Sequence, residues 1–369
     1  MSLLVAAGQI WRDGALQTGQ AVEITAGRVS RIRPLGQDRP DARVALLMPG
    51  ATDLQVNGGG GVLFNSTPTP EGLAAIAAAH RGLGTVSILP TVITDAPEVT
   101  DAAADAVIAA MALGAPGIAG IHIEGPHLAP ARRGTHDARF IRPLDRRMIE
   151  TLARLRGADV PVMLTLAPEL ADPALMAEAV AMGVRLSAGH SMANAEETRA
   201  ALSRGVTLFT HLFNAMPQMT SREPGIIAAA ILSDAYCGLI ADGIHVSPEM
   251  IRIALAARPV ADRVFLVSDA MPTVGGPDRF RLYDMEIRVE DGRLVNTAGA
   301  LAGAHIDMIG SIRWLHRNCG VDLAQAVAMA TDIPRRAMGL APLAIAEGVP
   351  VADLVALDED LQLSALPAA

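Results

Sequence analysis

The sequence predicts an α/β protein in which a (β/α)₈ TIM barrel carries a small β domain formed by both termini. Three observations favour this fold class. Residues 49–338 alternate short apolar segments with Ala-rich helical stretches, which is the pattern of repeated βαβ units and a parallel sheet. The two ends of the chain instead alternate apolar and polar residues, as half-exposed strands do. A length of 369 residues has room for one large barrel and an accessory domain.

The small β domain is assigned to residues 1–48 and 339–369, and the barrel to residues 49–338. Near the N-terminus, AVEITAGRVSRI alternates apolar and polar positions on either side of Gly27, which predicts a hairpin turn there. ADLVALD at residues 352–358 is a second strand-like run, beyond the last helical pattern. We expect it to complete the sheet that the N-terminal residues begin.

Eight strand candidates follow one another along the barrel segment, and eight is the number that closes a barrel of this kind. In chain order they read MPGATDLQVN, TVSILPTVIT, GIAGIHIEGPH, VMLTLAPE, RLSAGHS, LFTHLFNAM, CGLIADGIHV and VFLVSDAM. Each runs into a polar or Gly-containing end before the next helix. The helices between them carry start and stop signals: ANAEETRAALSRG has Asn194 near its start and Arg204 with Gly205 at its end.

Composition narrows the classes of partner and compartment. The formal charge of −9, with arginines dispersed along the chain, predicts no nucleic-acid partner. No uninterrupted apolar stretch has the length of about 18 residues that spans a membrane, and MSLLVAAGQI lacks the basic start of an export signal. We therefore expect no membrane association and a cytoplasmic location. Cys237 and Cys319 lie in unrelated segments, so neither a disulfide framework nor a thiolate zinc cluster is indicated.

The chain contains no lysine, since all 30 of its Lys+Arg residues are arginine. This absence excludes three mechanisms that need an ammonium side chain. They are Schiff-base catalysis, a phosphate loop of the Walker type and a carbamylated lysine that bridges two metal ions.

Polar side chains stand at the ends of the predicted barrel strands, where the functional residues of such barrels converge. These residues are Gln55, Asn57, Glu124, His190, His211, His245 and Asp269. Glu124, His190 and His211 form a His₂Glu set, which is typical of catalytic zinc sites that keep a fourth position open. A metal there would polarise a scissile carbonyl and lower the pKa of water. Asp269 follows an apolar strand and is the candidate proton acceptor and donor.

Other candidates have structural alternatives. A single histidine at a strand end is more often a hydrogen-bonded structural residue, and the joint occurrence on successive strands is what favours a site. His80 and His316 lie in helical stretches and are interpreted as structural histidines, at the surface or at a helix end. His122 is on the same strand face as Glu124, so it is either a ligand or a support for one. Gly58–Gly61 is interpreted as a flexible turn rather than a phosphate loop.

The motifs HIEGPH, TLAPE, SAGHS, THLFNAM, REPG, LIADGIHV and VSDA occur in this order across the barrel segment. Together they resemble the N-acetylglucosamine-6-phosphate deacetylases, from PGATDLQVNG to GVPVADLVALD. The resemblance implies a barrel of the metal-dependent amidohydrolase type with a small β-sandwich made from both termini. It also implies hydrolysis of N-acetylglucosamine 6-phosphate to glucosamine 6-phosphate and acetate.

By this resemblance, Glu124, His190 and His211 bind the metal, and Asp269 is the catalytic base and acid. We expect one divalent ion per subunit, with Zn²⁺ as the first candidate and Fe²⁺, Mn²⁺ or Co²⁺ as alternatives. Some relatives carry an HxH pair at the end of the first strand and bind two metals. Because this chain has Gln55 and an asparagine there, it resembles the branch with a single metal.

The resemblance also implies contacts to a small amino sugar phosphate. The matching positions are Gln55, Thr135, His136, Asn214, Ala215, Arg222, Asp242, Gly243, Ile244, His245, Leu301, Ala302 and Gly303. His136 is expected to donate to the carbonyl oxygen as negative charge develops. Arg222 and His245 suit the 6-phosphate. Relatives are usually dimeric, so we expect a homodimer with the phosphate site near the subunit interface. Ala304 and His305 depart from the family pattern near the sugar pocket.

Two alternatives stay open. The substrate can be N-acetylgalactosamine 6-phosphate or another N-acyl amino sugar phosphate, since epimer choice rests on one hydroxyl that no residue of the sequence identifies. In a different class, the chain can be a non-catalytic sensor of amino sugar phosphates. Metal content and acetate release separate an enzyme from a sensor.

Overall fold

A parallel eight-stranded sheet forms the centre of the computed structural model, which describes residues 2–297 and 299–366. Its strands are Ala51–Val56, Thr85–Ile93, Ile121–Glu124, Val162–Leu166, Arg185–Ala188, Val206–Phe209, Tyr236–Leu239 and Val264–Leu266. They pair in chain order, and a parallel bridge between Val56 and Ala270 joins the first strand to the end of the eighth. The sheet is therefore a closed barrel, and the eight strands predicted from the sequence are confirmed.

Helices cover the outside of the barrel and return the chain from one strand to the next. They span Pro70–Gly82, Pro97–Ala112, Arg146–Gly157, Pro173–Ala181, Ala195–Ser203, Gly225–Ile231, Pro248–Ala256, Met308–Cys319, Leu323–Ala330 and Asp332–Met338. Three-residue 3₁₀ turns occur at Pro130–Arg132, Ala138–Phe140 and Val351–Asp353. Most helices begin at a polar cap. Asn194 accepts from the backbone of Glu197, whose side chain bonds back to the Asn194 N–H, so both free donors at this helix start are satisfied.

A six-stranded sheet from both termini lies outside the barrel. Its strands are Ser2–Arg12, Ala15–Thr25, Arg28–Pro34, Ala42–Pro49, Leu354–Leu357 and Leu363–Ser364. Leu354–Leu357 pairs antiparallel with Ala42–Pro49, which brings the two ends of the chain together as predicted. The sheet has its own hydrophobic cluster. The proposed division at residues 48/49 and 338/339 stays a prediction, and residues 1 and 367–369 of the predicted β domain lie outside the described residues.

A four-stranded antiparallel sheet interrupts the barrel after its eighth strand. Its strands are Arg279–Leu282, Met285–Glu290, Arg293–Asn296 and Leu301–Ala304. Leu282, Ile287 and Leu294 pack with Met271 from the end of the eighth strand, and Ala304 bridges to Ala270. We call this the inserted sheet. The sequence interpretation missed it as a unit, although MEIRVEDGRLVN alternates around a turn in the manner of a hairpin. A smaller hairpin pairs Gly58–Gly59 with Val62–Leu63.

Two expectations from composition can be compared with the described part of the chain. Cys237 and Cys319 are both unpaired and buried, which agrees with the absence of a disulfide framework. Within residues 2–297 and 299–366, none of the helices combines the length and the apolar character needed to cross a bilayer. Aliphatic side chains fill the main core, which runs from the barrel interior to the surrounding helices.

Candidate active site

Three predicted metal ligands meet at the C-terminal end of the barrel. Glu124 ends the third strand, and His190 and His211 follow the fifth and sixth. Glu124 Oε1 lies 3.1 Å from Nε2 of each histidine, and the two Nε2 atoms lie 3.0 Å apart. All three side chains are buried. One carboxylate oxygen and two imidazole nitrogens therefore surround a single point.

The donor chemistry of this cluster fits a divalent cation. His190 Nδ1 lies 2.7 Å from the carbonyl oxygen of Arg132, and because a carbonyl only accepts, His190 carries its proton on Nδ1. Its Nε2 lone pair is then free to bind a cation, as in metal sites where a carbonyl orients the histidine. Burial lowers the pKa of His211, but the hydrogen bond and charge of Glu124 outweigh it and raise that pKa.

The backbone is strained where these side chains are presented. His190, His211 and Asp269 have positive φ angles of 50°, 31° and 51°, in the left-handed region that side chains other than glycine rarely adopt. Phe213 and Ala215, in the loop after the sixth strand, also have positive φ angles. Such conformations persist only where the surrounding structure enforces them, and they concentrate at functional sites.

Asp269 faces the metal cluster and is held by two amides of the first strand. Asn57 Nδ2 donates to Asp269 Oδ1 at 2.7 Å, and Gln55 Nε2 donates to the same oxygen at 3.1 Å. Gln55 Nε2 also lies 3.2 Å and 3.3 Å from the two carboxylate oxygens of Glu124. Both amides therefore act on Asp269 through N–H donors. Burial, followed by the negative charge of Glu124, raises the pKa of Asp269 to about 6.

A second buried carboxylate, which the sequence interpretation missed, holds the turn that carries Asp269. Asp53 on the first strand accepts from the Ser268 backbone N–H at 3.2 Å and from the Ser268 hydroxyl. It also accepts from the Gln55 N–H at 3.1 Å. Burial raises the pKa of Asp53 to about 7, although the hydrogen bonds from Ser268 and Gln55 lower it in part. The alternation in TDLQVN is a signal for it, because Asp53, Gln55 and Asn57 share one face of the strand.

Two further histidines lie beside the cluster. His136 makes an edge contact with His190, with ring centroids 4.5 Å apart. Burial, and then the proximity of His190, lowers the pKa of His136 to about 3, so its ring is neutral. His122 Nδ1 lies 3.1 Å from the Thr91 hydroxyl, and its Nε2 lies 2.7 Å from the Thr165 hydroxyl. With both nitrogens engaged by hydroxyls, His122 supports the barrel interior rather than binding a metal.

A cavity of about 160 Å³ opens over these residues, and it contains many of the predicted substrate contacts. It is lined by Asn57, Ile93, Glu124, Gly134, Thr135, His136, His190, His211, Asn214, Ala215, Ile240, His245, Asp269, Met271, Leu301 and Gly303. The metal cluster, the candidate base and seven predicted substrate-binding residues thus share one pocket. Ile93, Ile240 and Met271 add an apolar wall that the sequence interpretation missed.

Six predicted substrate-binding residues lie outside this lining: Gln55, Arg222, Asp242, Gly243, Ile244 and Ala302. Gln55 is buried beneath the pocket. Asp242 acts on His245, because its Oδ2 lies 2.6 Å from His245 Nδ1 and its Oδ1 accepts from the His245 N–H. Arg222 is exposed on the loop before helix Gly225–Ile231. Gln55 and Asp242 therefore support residues of the lining, whereas Arg222 lies outside the pocket of its own chain.

His80, predicted to be structural, is buried in the last turn of helix Pro70–Gly82 rather than at the surface. Its Nε2 lies 2.9 Å from the carbonyl oxygen of Gly58, which fixes the turn after Asn57. His316 Nδ1 lies 2.8 Å from the carbonyl oxygen of Val321, at the end of helix Met308–Cys319. Both contacts are structural.

Comparison with known proteins gives consistent matches along almost the whole chain. The amidohydrolase family matches residues 46–368. The chain is 40% identical over 375 residues to an N-acetylgalactosamine-6-phosphate deacetylase of Shewanella sp. (strain ANA-3), covering 99% of this chain and 94% of that protein. It is 33% identical to an N-acetylglucosamine-6-phosphate deacetylase of Haemophilus influenzae, covering 80% of this chain and 77% of that protein.

Solved structures agree with these sequence matches. An N-acetylglucosamine-6-phosphate deacetylase from Pasteurella multocida superposes with a TM-score of 0.89 at 29% identity, covering 98% of this chain and 97% of that chain. A mutant N-acetyl-D-glucosamine-6-phosphate deacetylase from Mycobacterium smegmatis, in complex with N-acetyl-D-glucosamine-6-phosphate, superposes with a TM-score of 0.87 at 31% identity. That match covers 98% of this chain and 96% of the other.

Proposed function

Because this chain belongs to the amidohydrolase family, we propose that it hydrolyses the acetamide group of an N-acetylated amino sugar 6-phosphate, releasing acetate and the free amino sugar phosphate. The observation that carries the proposal is one pocket that contains both the Glu124, His190 and His211 cluster and Asp269. Relatives named as deacetylases of such sugars match this chain at 40% and 33% identity, which supports the substrate class.

The residues of the pocket divide the reaction between them. A divalent cation bound by Glu124, His190 and His211 would act as a Lewis acid on water and on the acetyl carbonyl. Asp269 accepts a proton from the attacking water while the new C–O bond forms. His136 donates to the carbonyl oxygen, which becomes negative in the tetrahedral intermediate. Asp269 then returns the proton to the nitrogen as the C–N bond breaks, so the amino sugar leaves as a neutral amine together with acetic acid, which ionises to acetate by releasing its remaining proton to solvent.

Zn²⁺ is the first candidate for the cation, because two imidazoles and one carboxylate form a common set of catalytic zinc ligands. The same donors accept Fe²⁺, Mn²⁺ or Co²⁺. Gln55 and Asn57 supply amide donors to Asp269 instead of a second set of ligands. The proposed stoichiometry is therefore one ion per subunit.

N-acetylglucosamine 6-phosphate is the first substrate we propose, supported by a similar structure that contains this molecule. N-acetylgalactosamine 6-phosphate is the second, because the 40% identical Shewanella protein carries that name. The two sugars differ at one hydroxyl, so a hydrogen-bonding position in the pocket decides between them.

We also propose a cytoplasmic homodimer in which Arg222 contacts a sugar phosphate bound close to the subunit interface. Arg222 is exposed, and it has no hydrogen bond or ion pair among the residues that the structure describes. Arg222 lies outside the pocket of its own chain, so its free guanidinium suits a phosphate group that lies beyond the edge of that pocket. Light scattering of the purified protein tests the dimer, and cell fractionation tests the location.

The proposed function is tested by acetate release from both epimers, each with and without the 6-phosphate. Protein stripped with a chelator and then reloaded with Zn²⁺ is compared with the stripped protein. We expect release from at least one phosphorylated epimer, and only after reloading. Failure of every reloaded sample to release acetate contradicts the proposal, as does equal release from the stripped protein.

A further inference from the structure

Thr94 stands immediately after the second barrel strand and contacts the ring of His136. Its hydroxyl oxygen lies 2.8 Å from His136 Nδ1, and its backbone N–H points at the same nitrogen over 3.4 Å. Thr94 is 1% exposed, so no bulk water competes for these contacts. Thr94 is the polar end of the predicted strand TVSILPTVIT, but it was not among the candidate site residues.

The direction of the backbone contact determines which nitrogen of His136 carries the proton. A backbone N–H only donates, so a ring nitrogen that receives it must present a lone pair. Nδ1 is therefore the unprotonated nitrogen, and a neutral ring then has its proton on Nε2. Among the residues that the structure describes, Nε2 has no hydrogen-bond partner, so its N–H is available to a ligand in the cavity.

We propose that Thr94 is a positioning residue that holds neutral His136 in the Nε2–H tautomer, the form that donates a hydrogen bond to the acetyl oxygen. The catalytic part of this inference rests on the proposed function, whereas the tautomer itself does not.

A competing arrangement exists and is weaker. The Thr94 hydroxyl also lies 3.4 Å from the carbonyl oxygen of Glu124, so it can donate there and accept from a proton on His136 Nδ1. That arrangement keeps the 2.8 Å contact with its direction reversed and adds the 3.4 Å contact, but it points the Thr94 backbone N–H at a proton on His136 Nδ1. Two N–H groups that face each other repel, so the backbone contact favours the arrangement in which the hydroxyl donates to His136.

The surroundings of Thr94 fix its position from two sides. The Tyr283 hydroxyl, from the tight turn of the inserted sheet, donates to the Thr94 carbonyl oxygen at 2.5 Å. On the other side, a Cβ on Gly125 would lie 2.3 Å from the Thr94 hydroxyl oxygen, so a glycine is required after Glu124 for the hydroxyl to occupy this place. The inserted sheet thus reaches the site through Thr94 and His136.

Nuclear magnetic resonance of the zinc-loaded protein, labelled with ¹⁵N in histidine, tests the tautomer directly. The signal of His136 is assigned by its loss in His136→Gln. In the wild type we expect the Nε2–H pattern, in which Nδ1 has the chemical shift of an unprotonated acceptor. An Nδ1–H pattern overturns the proposal. Because this measurement needs no substrate, it separates a failed tautomer inference from a failed assignment of function.

Variants of Thr94 test whether it sets the tautomer. Thr94→Val removes the hydroxyl at nearly constant side-chain volume, whereas Thr94→Ser keeps the hydroxyl and removes only the methyl group. We expect Thr94→Val to show a mixture of tautomers and a kcat lowered roughly tenfold or more with KM little changed, since a single donor to a developing oxyanion contributes about 10²–10³ in kcat. Thr94→Ser is expected to regain the wild-type tautomer and most of the rate.

Thr85→Val is the matched control, because Thr85 lies on the same strand, is buried, and has a hydroxyl with no partner among the described residues. We expect its tautomer and kcat to equal those of the wild type. If Thr94→Val also keeps the wild-type tautomer and kcat, Thr94 has no positioning role and the proposal is overturned. A fall in KM alone, with kcat and the tautomer unchanged, overturns it equally.

Discussion

The inner and outer halves of the pocket are built differently. The inner half, consisting of Glu124, His190, His211 and Asp269, lies on strand ends at the bottom of the cavity, and buried donors or acceptors fix its side chains. The outer half consists of Thr135, Asn214 and Leu301 of the lining, and we count with it Arg222, which lies on a loop beyond the lining. These residues lie on loops and on the inserted sheet, and their side chains are partly or fully exposed. If the proposed function holds, we expect the barrel to fix the chemistry and the more exposed segments to select the sugar.

The largest effect is expected at the metal ligands of the inner half. Glu124→Gln keeps the shape of the side chain but removes the charge that two imidazoles alone do not replace. We expect loss of bound zinc and a fall of acetate release to background, measured by elemental analysis and by assay. His316→Gln is the control, since His316 bonds a backbone carbonyl at a helix end and should leave the zinc content unchanged. Stoichiometric zinc in Glu124→Gln would remove Glu124 from the ligand set.

A similarly large loss of rate, without loss of metal, is expected at the proton carrier. Asp269→Asn cannot accept a proton, so kcat should fall roughly 10²–10⁴-fold, the usual contribution of general acid–base catalysis. Zinc content should stay at the wild-type level, because Asp269 is not one of the three predicted ligands. Activity equal to that of the wild type would show that another group carries the proton.

A shift in the pH dependence of kcat/KM is expected when the contact between Asp269 and Asn57, at the end of the first strand, is removed. As the proposed base, Asp269 must be ionised, so kcat/KM should fall as the pH drops through its pKa, which burial raises to about 6 and the charge of a bound cation would lower again. The Asn57 hydrogen bond lowers this pKa, so Asn57→Leu should raise it and move the acid limb of the profile to higher pH. An unmoved limb would mean that the limb belongs to another group.

A smaller effect, on binding rather than on rate, is expected in the outer half. Arg222→Ala removes the guanidinium proposed for the phosphate, so KM for the phosphorylated sugar should rise roughly 10- to 100-fold with kcat little changed. The unphosphorylated sugar should be processed equally by both proteins. A fall in kcat alone would place Arg222 in the inner half and break the comparison.

The smallest effect is expected outside both halves. The Asn194 side chain caps helix Ala195–Ser203 by accepting from the backbone N–H groups of Glu196 and Glu197, and Asn194→Ala removes this cap. We expect a loss of about 1 kcal/mol in the free energy of unfolding, measured by urea denaturation, and unchanged kinetic constants. A change in kcat would show that this helix is coupled to the site.

The sequence predicted the inner half better than the outer half for a physical reason. The ends of parallel barrel strands meet at one face, so Glu124, His190, His211 and Asp269 follow from strand order alone. The placement of Arg222 and the inserted sheet depends on loop conformation, which no periodicity records. Asp53 and Thr94 were missed although both lie on or next to barrel strands, because they contact other groups of the protein rather than the cavity.

The account depends most directly on the position of one cation. Anomalous diffraction at the zinc edge, from crystals of the zinc-loaded protein, locates that ion without any assumption about activity. We predict a single peak per chain, within bonding distance of Glu124, His190 and His211 and on the side that faces Asp269. A peak elsewhere, or a second ion bound by Gln55 and Asn57, would contradict the account.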